Sequence, residues 1–426
     1  MSRPSCSHRF PTSVALTALA LTPFQLAGMQ DRTELPGEDR ALTMDVQEVF
    51  SVGSITGDDW ETFSRVTGVA FDQDGNLYLL DADNFRVVKA DPEGTLLAEM
   101  GGEGGGPGEF GMPFALSVTR AGEVRVFDFG YGGFVFFNPD GSYKASVPMP
   151  AGMMIFPSGA LLSHPTGGVL SAGGGGMSIQ RGDDGSMNFP PTRPVLLFSF
   201  ADEVKVETVY EGWNPATAEG APKLQTSGGG SFQIQAPPIR AFDPDLMAGI
   251  LSDGRIAVVD STTYEVKLKE LGGEVQQILQ RPYSPREVTR RDREAEKERR
   301  LAAMAESGGP RMMMRTDDGS TARIASGEVL AMEESRLESM EFAPEMPVVV
   351  GMAVDWAGQI WVERNGDRVG EEGPIDLLGE DGTYLGTLPP ESMRIPDAFG
   401  PGGLAAFIET DELDVPRVVV RRLSFR

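Results

Sequence analysis

Cysteine and histidine are almost missing from this chain: its 426 residues include one cysteine, Cys6, and two histidines, His8 and His164. A single thiol forms no disulfide within the chain, and two distant histidines build no clustered-histidine zinc site. Lysine is scarce beside arginine. Basic residues as a whole are outnumbered 37 to 63, leaving a formal charge of −26. That balance opposes binding to nucleic acid and to anionic membranes, and it favours cationic ligands, metal ions or basic partners. A plainer reading is a solvated acidic surface. Long hydrophobic runs are missing too: the longest, Val14-Ala15-Leu16-Thr17-Ala18-Leu19-Ala20-Leu21, is far short of the roughly 20 residues that cross a bilayer.

That run has a different use. Arg3 and Arg9 precede it and the small pair Ala27-Gly28 follows, the layout of a secretory leader. Residues 1–28 are expected to be a signal peptide and 29–43 a linker. The segment before cleavage offers no cysteine for a lipid anchor. The mature chain is then an exported monomer, periplasmic or extracellular, with His164 as its one histidine and no thiol.

Glycine and proline are abundant, 53 and 31 residues, without a collagen period, so many turns are expected. The stretch GGEGGGPGEFGMP contains a GxGxxG match at Gly106 to Gly111. A phosphate cradle needs a strand before it and a helix after it. Here Pro113 and the strand-like Phe114-Ala115-Leu116-Ser117-Val118 follow instead.

Self-similarity accounts for the glycines. Val69-Ala70-Phe71-Asp72-Gln73-Asp74-Gly75-Asn76-Leu77-Tyr78-Leu79-Leu80-Asp81 reads as two strands joined by a tight hairpin and closed by an acid. Looser copies centre on Gly122, Gly159, Gly254, Gly358 and Gly402, spaced by 47, 37, 95, 104 and 44 residues. The two long intervals contain insertions, and a second strand pair follows most hairpins. Six four-stranded units predict an all-β, six-bladed β-propeller with a helical insertion. It spans 44–426, with inserts at 165–192, 212–237 and 281–342. The C-terminal strand Arg417 to Leu423 needs an outer neighbour, and Asp45 to Val52 is expected to supply it and close the ring.

The run Gly68 to Val87 with its tail Gly101 to Pro113 resembles an NHL repeat, and the chain as a whole resembles exported bacterial propellers of the NHL-like kind. Asn84 and Arg86 have no clear counterparts in most later copies. The resemblance implies a glycine-rich link carrying the chain from one blade's rim to the next blade's axis.

Within the helical insert, Ser284-Pro285-Arg286-Glu287 looks like a helix start with a capping box. The following VTRRDREAEKERRLAAMAE offers Glu287/Arg291 and Glu296/Arg300 pairs, a solvated and salt-bridged helix. A second helix is expected from Gly327 to Glu341. Met312, Met313 and Met314 suggest an adaptable loop.

In a propeller the hairpin turns share one face, and the loops after the second strands share the other. Counting from the hairpin glycines places Asp81, Asp128, Asp260, Glu363 and Glu409 on that second face, an acidic rim around the channel mouth. Asp83, Asn84, Arg86 and Arg364 join them as ligand-binding candidates, and His164 lies in a loop near them. Each acid alternatively accepts backbone N–H bonds in its own loop. Two function classes follow. One is a binding module engaging a protein, peptide or glycan through the loop face, with no cofactor and no catalytic residue assigned. The other, an enzyme resembling propeller lactonases or lyases, would use a channel Ca²⁺ as Lewis acid, which requires six to eight converging oxygens. The scarcity of histidine and thiols favours binding over turnover.

Overall fold

A computed structural model describes residues 31–425 apart from 152, 157–160, 173–176, 182–186, 189–191, 214–223, 228–230, 235–239, 307–312, 316–320, 324–336 and 412. Strands dominate. Six antiparallel sheets of four strands each form the blades of a propeller, with one long helix outside them.

The hairpin joining the two inner strands shows how the sequence writes a blade. In the first blade, Val66–Phe71 pairs with Leu77–Asp81 across a turn in which Gly75 N–H donates to the Asp72 carbonyl and Asp72 N–H to the Asn76 carbonyl. Asp72 Oδ1 also accepts the N–H groups of Asp74 and Asn76, an Asx turn. The glycine sits at φ 84°, and its counterparts Gly122, Gly254 and Gly358 at 85°, 88° and 82°, where a side chain is strained. The same two backbone bonds recur at 164–168 in the third blade, between His164, Gly167 and Gly168. This corrects the expected third hairpin at Gly159: Leu161–Ser163 is the innermost strand and Val169–Ser171 the second. Part of the expected 165–192 insert is therefore blade.

The first two blades are contiguous, Val66–Gly101 and Pro113–Pro148. The third interposes a small three-stranded sheet before its long outer strands Thr192–Phe200 and Val204–Trp213. The fourth runs from Met247 to Gln280 and the fifth from Val349 to Leu388. Ala398–Phe399, Leu404–Thr410 and Pro416–Phe425 make the inner part of the sixth. Its outer strand comes from the other end of the chain, Met44–Val52, paired antiparallel from Met44↔Phe425 to Val52↔Val418. The ring closes as the sequence predicts.

Residues 29–43 were expected to be a linker, and from residue 31 they are tied down. Asp31–Glu34 adds a fifth strand, parallel to Val275–Gln280 on the fourth blade. Arg40 and Leu42 then exchange backbone bonds with Thr387 of the fifth blade. Together with Met44–Val52, one continuous stretch pairs with the outer strands of blades four and five and then becomes the outer strand of blade six. The driving force is the satisfaction of edge N–H and C=O groups that would otherwise be exposed.

The core is divided into six interblade layers. Tyr78, Leu80 and Met100 pack against Leu116, Val124 and Val126 between blades one and two. Phe127, Phe134 and Phe136 meet Val169, Leu196 and Phe198 between two and three. Equivalent layers join three to four, four to five and five to six. The last, Leu404, Ala406 and Val418 against Phe71, Leu77 and Leu79, joins six back to one.

The helix runs Arg290–Glu306, one turn later than expected. Arg286–Glu287 instead pairs as a short strand with Glu345–Met346. The capping box belongs to Thr289 and Asp292: Thr289 N–H donates to the Asp292 carboxylate, and Asp292 N–H to Thr289 Oγ1. Glu296 bonds Arg299 and Arg300, as the i,i+4 spacing predicts for the second. Of the second expected helix only 337–341 is described. Met312 lies outside the described residues, as does the leader.

Candidate functional site

The rim acids expected around the channel have local work. Asp81 ends the second strand of blade one and is fully buried. Its Oδ1 accepts the N–H groups of Ser64 and Arg65, which lead into the innermost strand. Its Oδ2 accepts Asn84 Nδ2 at 2.7 Å and Arg86 Nε at 3.2 Å. Arg86 also donates to the carbonyls of Trp60 and Thr62 and pairs with Glu99, while Asp83 pairs with Arg65. The Asp–Asn–Arg set is thus a latch on the loop entering the blade.

Asp128 repeats the latch on blade two, accepting the N–H groups of Gly111, Met112 and Tyr131. It anchors the glycine-rich link at one end. Phe110, fully buried, anchors the middle. Gly101, at φ 109°, passes so close to the Phe110 ring that a Cβ would lie 2.4 Å from it. The GxGxxG match at Gly106 to Gly111 belongs to this interblade connection, and within it Gly108 sits at φ 80°, where a side chain is strained.

Asp260 accepts Tyr210 Oη at 2.7 Å and Lys267 Nζ at 2.5 Å, tying blade four to blade three. Burial, with the Asp260 carboxylate beside it, pushes the Tyr210 hydroxyl up to about 12. Glu409 pairs with Arg417 and Arg421 within blade six. Glu363 is half-buried, and burial raises its pKa against a bond from the Gly373 backbone. In blade five the register position of Asp81 belongs to Arg364, which pairs with Asp39 and Asp376. His164, expected in a loop, is buried in the hairpin on the opposite face and contacts the Gly254 carbonyl.

None of the nine candidates lines the central cavity. That cavity, about 740 Å³, follows the axis between the six innermost strands. Val69, Leu116, Leu162, Met247, Met352 and Val354 give the walls their apolar part, extended by Phe114, Ile395 and Phe399, and polar groups that include Thr67 and Ser163 make up much of the rest. Sequence reading missed the site because strand residues at a propeller axis look like ordinary core. A recoverable signal was Met247 and Met352 on two innermost strands, where a closed layer would favour branched residues.

Three charged residues line the cavity: Arg120, Asp355 and Asp397. Asp355 Oδ1 accepts the N–H groups of Ala357 and Gln359, and Oδ2 the Trp361 indole. Burial raises its pKa. Asp397 Oδ2 accepts Ile408 N–H and Arg394 Nη2, both at 2.7 Å. Arg120 is different. It lies in the hairpin of blade two, and its guanidinium stacks over Trp356 at 4.7 Å, in the hairpin of blade five. Blades two and five are opposite in a ring of six, so this pair spans the axis at the hairpin end.

The lining supplies two carboxylates, both already hydrogen-bonded, so a Ca²⁺ ion there would draw its remaining oxygens from backbone carbonyls, hydroxyls and water. Among the described residues no group of three or more His, Cys, Asp or Glu side chains is placed to hold a metal ion.

No family model matches the chain, and no curated protein matches it. Solved structures do, at low identity. A streptogramin B lyase is 12% identical over 89% of this chain and 98% of its own, with a TM-score of 0.38. A protein named as exported, from Bacteroides fragilis, is 10% identical over 93% and 100%, at 0.46. A gluconolactonase from Xanthomonas campestris is 12% identical over 92% and 97%, at 0.35. No described helix is long and apolar enough to cross a membrane. The chain is a six-bladed β-propeller whose solved neighbours include enzymes.

Proposed function

We propose that this is an exported propeller that binds an apolar small molecule in its central channel. The observation carrying the reading is the axial cavity of about 740 Å³, lined by apolar side chains together with polar backbone, hydroxyl and charged groups, a concave site large enough for a small molecule. The proposal moves the site from the acidic rim to the axis, because Asp81, Asp128 and Asp260 spend their oxygens on loops and neighbouring blades. Export is part of the proposal and rests on the leader-like residues 1–28.

Enzymes and binding modules share this architecture, so fold likeness does not choose between them. What supports binding here is that the two lining acids are held by backbone and side-chain donors.

The test is saturation binding of a neutral fluorophore, N-phenyl-1-naphthylamine, to the purified protein. One site per chain is expected, lost in Ala353→Trp, which fills the cavity, and weakened in Met352→Gln, which makes its wall polar. Both variants are first shown by thermal melting to be folded. Unchanged binding in two folded variants overturns the reading. A rise in Tm of several degrees at micromolar calcium would favour the metal-centred alternative instead.

A further inference from the structure

Arg120 deepens that reading, and the inference rests on it. The lining holds one cation and two carboxylates. Both carboxylates are occupied: Asp355 by its own hairpin and the Trp361 indole, Asp397 by Ile408 N–H and Arg394. The Arg120 guanidinium lies over the Trp356 ring, and among the described residues it forms no ion pair. Arg120 is exposed to solvent at the hairpin-end mouth of the chamber, so an entering ligand reaches it without displacing a partner acid.

The surroundings of Arg120 say what that ligand is. A guanidinium held over an indole can still present N–H groups, which match a carboxylate in a two-pronged bond. The stack also holds these groups in place, so a ligand does not have to order a flexible side chain. The long-range repulsion expected from the acidic surface is screened within about 8 Å at physiological salt, so the groups at the contact decide. Beyond Arg120 the walls offer apolar side chains, from Val69, Leu116, Met247 and Met352 to Phe114 and Ile395 nearer the other mouth, with Thr67, Ser163 and the hydrogen-bonded Asp397 among them. The innermost strands have up to six residues, roughly 20 Å of axial length. A chain of a dozen carbons fits that length.

We propose that the channel selects amphipathic carboxylates of medium chain length, with the carboxylate on Arg120 at the hairpin end and the apolar chain along the axis. This departs from the preference for cationic ligands expected from net charge, because the contact is made at Arg120 while the two lining carboxylates are already hydrogen-bonded.

The experiment is competition against bound N-phenyl-1-naphthylamine by dodecanoate, dodecan-1-ol and dodecylammonium. In the wild type, dodecanoate is expected to displace the probe at about tenfold lower concentration than the alcohol, with the ammonium weakest; tenfold corresponds to one charge-assisted contact. Arg120→Gln is expected to bring acid and alcohol together while the neutral probe still binds, and Arg120→Lys to keep part of the preference. Equal displacement by acid and alcohol in the wild type overturns the inference but leaves the channel reading standing. So does an acid preference that survives Arg120→Gln. Failure of the neutral probe to bind the wild type overturns both.

Discussion

Arg281 is fully buried and carries a full charge, so its environment must return what desolvation removes. Asp376, equally buried, lies 2.8 Å from one of its nitrogens, and Arg364 approaches the same carboxylate at 3.3 Å. Asp39 completes the set, pairing with both arginines while Tyr283 and Tyr384 flank the guanidinium faces. Breaking such a buried pair from one side costs about 3–5 kcal/mol, because the other charge is stranded. Arg281→Met is expected to lose that much in urea denaturation, and Arg281→Met with Asp376→Leu to lose less. A single-variant loss under about 1 kcal/mol would show the cluster to be incidental. Acid weakens the same cluster. Burial raises the Asp39 pKa, but bonds from Arg364 and Tyr283 outweigh it and the net shift is downward. Its contribution is therefore complete above the ordinary carboxylate range and is lost as pH falls through the lowered value. At this scale the sequence was partly legible. An aspartate closing the second strand next to a glycine turn announces a loop-holding acid, and Asp81 and Asp128 are that. The Arg364 and Asp39 pairing left no local trace, since the partners are 325 residues apart.

The N-terminal stretch is the element on which ring closure depends. Met44–Val52 was recognisable because the last blade lacked an outer strand and an alternating segment was available near the other terminus. Asp31 to Leu42 was not, because it is mostly polar and attaches through backbone bonds, one charged cluster and the isolated leucines Leu35 and Leu42, which form no hydrophobic period. The two parts differ in consequence. Deleting residues 31–43 frees one parallel strand and the Asp39 pairs, and is expected to lower Tm by several degrees with the propeller intact. Extending the deletion to residue 52 removes Val52 and Phe50 from the layer between blades six and one and opens the ring. Proteolysis of that longer deletion is expected to cut throughout the chain. Equal protease resistance of the two deletions would mean that closure needs no N-terminal strand. The helix start was misread for a local reason: Ser284-Pro285 carries the right residues, but Arg286–Glu287 gains more by pairing with Glu345–Met346.

At the scale of the molecule, six layers shared between neighbours leave no blade with a core of its own, so stability and the axial cavity arise together from closure. The architecture was legible because each blade repeats a hairpin with a required glycine. The cavity was not, because its lining depends on which side chains converge from strands far apart in sequence, such as Val69 and Met352. Sequence reading placed function on the acidic rim, whereas the geometry favours the axis, with Arg120 and Trp356 at one end. The most direct test is crystallography of the protein with a terminally brominated dodecanoate, locating bromine by its anomalous signal. The account predicts bromine within the channel toward the Phe114 and Ile395 end, and the carboxylate against Arg120. Bromine on the outer rim beside Asp81, Asp128 or Asp260, with the channel empty of ligand, would contradict it.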